Sequence, residues 1–198
     1  MIDAISRKLT QAIKQNVNDV TIEKEEIIEY GIKIAIYEVI VVSSLIALSL
    51  ALGIVKYFLI YFCNFGILRV STGGAHMKSR LVCFITYLLV MLGIVYLSIY
   101  LPINNLWIAI PVFFVNIMTV LVYAPGDTSE KPIINKRIRK RLKLVSVVTL
   151  VIYFGLALIV WTFDKTVYSI IVLSTIYVTF LLSPTGYKAS GCRHSYDT

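Results

Sequence analysis

The feature that most constrains this chain is a succession of six apolar stretches. They run approximately Ile32–Leu52, Gly53–Leu68, Leu81–Leu101, Leu106–Tyr123, Leu144–Phe163 and Val167–Ser183. A helix needs about 20 residues, rising about 1.5 Å each, to cross about 30 Å of hydrocarbon. Five stretches come close to that length. The second is shorter, carries Lys56 near its start, and also reads as a re-entrant segment. A soluble domain is about 45–50% apolar and about 25% charged, whereas this chain is 58% hydrophobic and 15% charged, with a mean hydropathy of +0.82. A soluble core cannot absorb that much apolar surface, so the expected class is an all-α, polytopic integral membrane protein.

Charge decides between five spans and six. Six spans with the N-terminus inside put Arg7, Lys8, Lys14, Lys24, Lys33, Arg69, Lys78 and Arg80 on the inner side. The basic run from Lys131 to Lys143 joins them, as do Lys188 and Arg193, which leaves Lys56 and Lys165 outside. That matches the positive-inside bias. A re-entrant second segment would turn the basic run outward. The reading is therefore six transmembrane helices with both termini cytoplasmic, Lys56 snorkelling and the bilayer thinning around the short helix. The net charge of +8 then reads as topology and contact with anionic headgroups. Nothing interleaves basic and aromatic residues for base stacking, so no nucleic acid is expected.

Residues 1–31 read as an amphipathic or interfacial helix, with Ile5, Leu9, Ala12, Ile13 and Val17 near helical spacing. The expected organisation is one membrane domain over 1–198: the N-terminal helix, a six-helix region over 32–183, and a cytoplasmic tail over 184–198. The first thirty residues mix charges of both signs without an apolar core, so no signal peptide is expected. Cys63, Cys83 and Cys192 are an odd set, two of them in or beside apolar segments, which argues against a disulfide framework. No internal repeat is evident, and small-residue motifs for helix packing are not prominent.

One polar interval, STGGAHMKSRLVC at residues 71–83, carries a chemical signal. A cysteine nucleophile works as its thiolate and needs a base or a favourable field. His76 can take the Cys83 proton. Lys78 and Arg80 add positive potential, and a helix starting just before Cys83 presents unpaired N–H groups. Gly73 and Gly74 permit positive φ and close backbone approach. In one continuous helix, however, His76 and Cys83 would lie about 10.5 Å apart along the axis. Proton transfer needs about 3 Å. The histidine must therefore fold back, or the pair must form across a dimer. The bland alternative is a solvated loop histidine and a packing cysteine.

Arg69-x-x-x-Gly73-Gly74-Ala75-His76, then six residues to Cys83, resembles the accessory gene regulator B family. So does Tyr123-Ala-Pro-Gly-Asp127-Thr-Ser-Glu-Lys131-Pro132 with its basic run. These are bacterial membrane cysteine peptidases of peptide quorum sensing. The resemblance implies His76 and Cys83 as the catalytic pair, a small precursor peptide as substrate, a thioester acyl-enzyme, thiolactone or lactone closure of an autoinducing peptide, and a homodimer in the cell membrane. No cofactor and no metal are called for. Candidates to orient His76 are Asp127, Asn64 and Asn116; Asp127 also reads as the opening of a turn in PGDTS. Arg69 reads either as an interfacial anchor or as a contact to precursor carboxylates, and Gly73, Gly74 and Arg80 as support.

Other features have simpler readings. The run INKRIRKRLK fits anionic headgroups and would also attract an acidic substrate. Gly191-Cys192-Arg193-His194 pairs a Cys with a His, but at an end expected to fray. Cys63, beside Asn64, reads as packing. A zinc site of His76, Cys83, Cys192 and His194 lacks the usual ligand spacings. The competing functional class is a peptide transporter or export channel. Glu38 is the sole acidic residue in the six stretches, which favours the enzyme over transport.

Overall fold

Helix boundaries in this chain follow the side chains that can replace missing backbone partners. The computed structural model describes residues 2–16, 21–75, 79–127, 133 and 135–192, with backbone alone at 16 and 80. Among them the fold is all-α, in two compact units, Met1–Gly53 and Ile54–Thr198.

The first unit pairs α1 (Ile2–Asn16) with α2 (Ile22–Ala51). Thr21 caps α2, and Glu23 and Glu25 complement the positive end of its dipole. These start signals override the expected boundary after residue 31: Tyr30, Gly31 and Ile32 lie inside one uninterrupted helix. The helices are zipped by Lys14–Glu25, Arg7–Glu29 and Lys33 with both Asp3 and Glu29. Ser6 and Thr10 are buried, while Ile5, Leu9 and Ile13 on the apolar stripe of α1 stay exposed. Val17, the last member of the expected stripe, lies outside the described residues.

The second unit is built on α7 (Lys165–Leu182), which packs against α3 (Val55–Thr72), α4 (Arg80–Tyr100), α5 (Ala109–Tyr123), α6 (Lys136–Trp161) and α8 (Pro184–Ser190). A 3-10 turn at Leu106–Ile108 leads into α5. Buried Ser169, Ser174, Thr175 and Thr179 line α7 and return their hydroxyls to its own carbonyls. Small side chains so satisfied let helices approach closely in an apolar medium. The sequence therefore does hold a small-residue packing stripe, written in Ser and Thr and not in Gly.

Five helical stretches are long and apolar enough to cross a membrane: Ile22–Ala51, Leu81–Tyr100, Leu106–Tyr123, Lys136–Trp161 and Lys165–Leu182. The sixth expected span, α3, is not among them; Lys56, Asn64 and Arg69 dilute it. Its reach nonetheless matches that of α7, both having 18 residues. Lys56 at one end meets Asp164, the N-cap of α7, at 3.1 Å. At the other end the segment after Thr72 meets the last residues of α7. Within this unit α3 therefore runs from end to end and does not turn back.

The tail also departs from expectation. Ser183 caps α8, and Pro184 stands at its first position, where a missing N–H costs nothing. Tyr187 and Ser190 are buried. The Cys192 N–H reaches the Tyr187 carbonyl at 3.2 Å. Arg193 and His194 lie outside the described residues. Cys63 is exposed, not packed in the core.

Candidate functional site

At one end of the second unit, three segments that are distant in sequence meet through their backbones. Helix α3 stops because Gly73 and Gly74 adopt φ of 64° and 114°, values that L side chains rarely tolerate. The freed backbone pairs with the loop after α5. Gly74 N–H donates to the Gly126 carbonyl at 3.0 Å, and Gly126 N–H to that of Thr72 at 2.7 Å. The result is a parallel bridge between Gly73 and Gly126. Ala75 N–H then donates to the Leu181 carbonyl at 2.9 Å. There is no room for side chains here. A Cβ on Gly126 would lie 2.7 Å from Leu182 Cδ1 and 2.8 Å from Gly74 Cα, and one on Gly73 would overlap the Gly126 carbonyl.

Arg69 locks this knot. Its Nη1 donates to the Gly73 carbonyl and its Nη2 to that of Ala75. A planar fork with fixed donor directions suits two carbonyls two residues apart. Arg69 is thus a backbone clamp, a role that neither the anchor nor the carboxylate-contact reading gave it, and these two nitrogens are already directed inward. Asp127 is also engaged. Its Oδ2 accepts from Ile133 N–H at 3.1 Å and from Arg139 Nη2 at 3.0 Å, with the carboxylate almost fully buried. Tyr187 of α8 donates to the Asp127 carbonyl at 2.9 Å. Burial pushes the Tyr187 hydroxyl up to about 12, against the opposing pull of Arg69, so it stays a donor at neutral pH.

Cys83 sits in the first turn of α4, as expected, with its N–H on the Ser79 carbonyl at 2.9 Å. Ser79 makes no side-chain cap, leaving the other first-turn amides of α4 without that partner. Cys83 is half-buried and interacts electrostatically with Arg69 and with Tyr177 of α7. Helix α3 ends at Thr72 and α4 begins at Arg80, so the elements carrying the two halves of the motif are not one continuous helix. His76, Lys78 and Lys131 lie outside the described residues, as does the Arg80 side chain.

The structure brings Arg69, Gly73, Gly74, Cys83 and Asp127 to one end of the unit. It does not bring the two asparagines there as free groups. Asn64 bonds back to Ile60 in its own helix at 2.9 Å. Asn116 is buried between α5 and α7, bonded to Thr175 at 3.0 Å and Thr179 at 2.7 Å. Among the described residues no cluster of three His, Cys, Asp or Glu side chains is placed to hold a metal; His76 and His194 are not among them.

Sequence reasoning missed Gly126, Leu181 and Tyr187. Gly126 had a local signal in its Pro-Gly turn. For Tyr187 the Ser183-Pro184 start of α8 was legible. Leu181 contributes a carbonyl, and no residue type marks that.

The chain is similar to known proteins along most of its length. The family model described as Accessory gene regulator B matches residues 6–182. An AgrB-like protein of Clostridium acetobutylicum is 28% identical over 194 residues, covering 96% of this chain and 91% of the relative. AgrB-like protein 2 of Clostridium perfringens strain 13 is 32% identical over 159 residues, 77% of this chain and 74% of the relative. Accessory gene regulator protein B of Staphylococcus aureus strain RF122 is 26% identical over 136 residues, 69% and 72% of the two chains. No solved structure matches.

Proposed function

This chain belongs to the accessory gene regulator B family, and from that premise we propose that it is a membrane cysteine endopeptidase that matures a small quorum-sensing precursor. Cys83 is the nucleophile and His76 its base. The observation that carries the reading is the Arg69 clamp. It grips the carbonyls of Gly73 and Ala75, the residues leading directly into His76, and it also interacts with Cys83. One side chain thus fixes the backbone that leads into His76, and the buried knot beneath gives it a rigid base.

In the proposed reaction His76 takes the thiol proton and the Cys83 sulfur attacks the scissile carbonyl carbon. The carbonyl π pair moves onto oxygen. Collapse restores the C=O bond and breaks the C–N bond, and the imidazolium proton goes to the departing amine. The acyl-enzyme is a thioester. A thiol or hydroxyl inside the precursor then attacks it, giving its proton to His76, closing a thiolactone or lactone and returning the electron pair to the Cys83 sulfur. Exchange between thioesters is nearly balanced in energy, so ring closure depends on limiting hydrolysis. The basic start of α6 is not there for helix stability, since cations oppose the dipole at an N-terminus. It supplies an attractive field for acidic substrate and anionic headgroups.

The test is co-expression with a tagged cognate precursor and cleavage read on a gel, with membrane insertion checked for each variant. Cys83→Ala, Cys83→Ser and His76→Ala should each abolish cleavage while Cys192→Ala retains it. Cleavage by Cys83→Ala would remove the proposal and leave the tail thiol or a transport role as the account.

A further inference from the structure

The site as described has a nucleophile but no assigned donor for the acyl oxygen. Transition states of acyl transfer carry negative charge on that oxygen, and a missing donor is costly. Arg69 has its two terminal nitrogens on the Gly73 and Ala75 carbonyls. The Cys83 amide is bound to Ser79.

Under Cys83 lies a cluster of aromatic residues. Tyr87 follows Cys83 by one helical turn, so both share a face of α4. Its ring packs on Phe65 at 5.2 Å and Tyr61 at 5.8 Å, and Phe65 stacks on Tyr177 at 5.7 Å. Among the described residues the buried hydroxyls of Tyr61 and Tyr87 have no partner. Tyr177 precedes Leu181 by one turn of α7, and Leu181 is the residue that holds Ala75. Tyr177 thus links the face of α7 that docks the approach to His76 with the aromatic floor shared with α4. Phe65 precedes Arg69 by one turn of α3, as Tyr87 follows Cys83 by one turn of α4, so the ring stack that includes Tyr177 lies one turn from both.

We propose that the Tyr177 hydroxyl is the oxyanion donor of this site, donating a hydrogen bond to the acyl oxygen while carbon is bound to the Cys83 sulfur. The proton stays on the phenol throughout. Phe65, itself packed on Tyr87, holds the Tyr177 ring. This rests on Cys83 being an acyl-transfer nucleophile, and the test separates the two claims.

Full-length protein in detergent is treated with p-nitrophenyl acetate and, separately, with iodoacetamide, and modification of each cysteine is followed by mass spectrometry. Acetylation attaches the Cys83 sulfur to the acetyl carbon through an oxyanion and expels p-nitrophenolate. Alkylation displaces iodide with no oxyanion. Tyr177→Phe keeps the ring and removes the donor. The ratio of acetylation to alkylation rate at Cys83 should fall by about tenfold or more, toward the hundredfold typical of a lost oxyanion donor. A smaller change in that ratio overturns the proposal and leaves the uncapped amides of α4 as the donors. A general loss of thiol reactivity slows both reactions and leaves the ratio unmoved, so it too counts against the phenol. If wild-type Cys83 is acetylated no faster than exposed Cys63, the peptidase reading fails and takes this inference with it.

Discussion

The two ends of the second unit are held by opposite means. At one end Lys56 and Asp164 pair on an exposed surface, and capping side chains satisfy the first amides of α7. At the other, Thr72, Gly74, Ala75, Gly126 and Leu181 join backbone to backbone, with three glycines removing every obstructing Cβ. Side-chain fastening tolerates drift, because long side chains follow a moving partner. Backbone fastening does not, because no rotamer is left to adjust. The tight end is the one that carries Cys83 and the approach to His76. A carbonyl attack misaligned by about 1 Å can cost about a hundredfold in rate, so rigidity at this end and looseness at the other follow the chemistry.

The sharpest way to break this comparison is to give Gly126 a side chain. Gly126→Ala should lower precursor processing by about a hundredfold, whereas Gly155→Ala, with open space around it, should stabilise α6 by about 0.5–1 kcal/mol. Both are read by the cleavage assay and by thermal unfolding in detergent. Next in size is Arg69→Lys. An ammonium keeps the charge but cannot reach both carbonyls as a fork, and an unsatisfied buried carbonyl costs about 1–3 kcal/mol. Processing should fall by about tenfold or more, with insertion intact; unchanged processing would show that charge alone is needed. Tyr187→Phe removes one hydrogen bond to Asp127, worth about 1 kcal/mol, and should expose the tail to carboxypeptidase before the rest of the fold loosens.

The smallest effect belongs to the loose end. Asp164→Asn keeps the cap and loses the ion pair with Lys56, an exposed contact worth at most about 1 kcal/mol. Processing should be unaffected. Burial alone would raise the Asp164 carboxyl, but the Val167 N–H and Lys56 outweigh it and hold it below the ordinary carboxylate range. A lowered carboxylate stabilises above its unfolded pKa and loses that contribution as pH falls through the folded value. The difference in Tm between wild type and Asp164→Asn should therefore be present at neutral pH and vanish in acid. A difference that grows in acid would contradict the pairing.

The long apolar helices were legible because hydropathy over some twenty residues is a one-dimensional property. Cys83 and the glycine pair were legible because thiol chemistry and positive φ demand particular residue types. What stayed hidden depends on distance in space. Arg69 read as an anchor or a contact to precursor carboxylates because its partners are carbonyls, which every residue has. Asp127 read as a candidate partner for His76 or as the start of a turn, and its pairing with Arg139 crosses a loop of unremarkable composition. The helix boundary at Thr21 was masked by apolar periodicity continuing on both sides of it. The Ser and Thr stripe of α7 was overlooked because those residues look merely polar until their hydroxyls are seen returning to their own helix.

The Ala75–Leu181 hydrogen bond also sets a timetable. A ribosome adding about 5–20 residues per second releases the α7 segment some 5–20 seconds after Ala75. Until then the loop before His76 lacks one of its braces, and the nascent protein cannot complete the knot that aligns its thiol. Biogenesis itself thus works as a safety catch: a truncated product stalled before α7 would sit in the bilayer with its cysteine but without the frame that arms it.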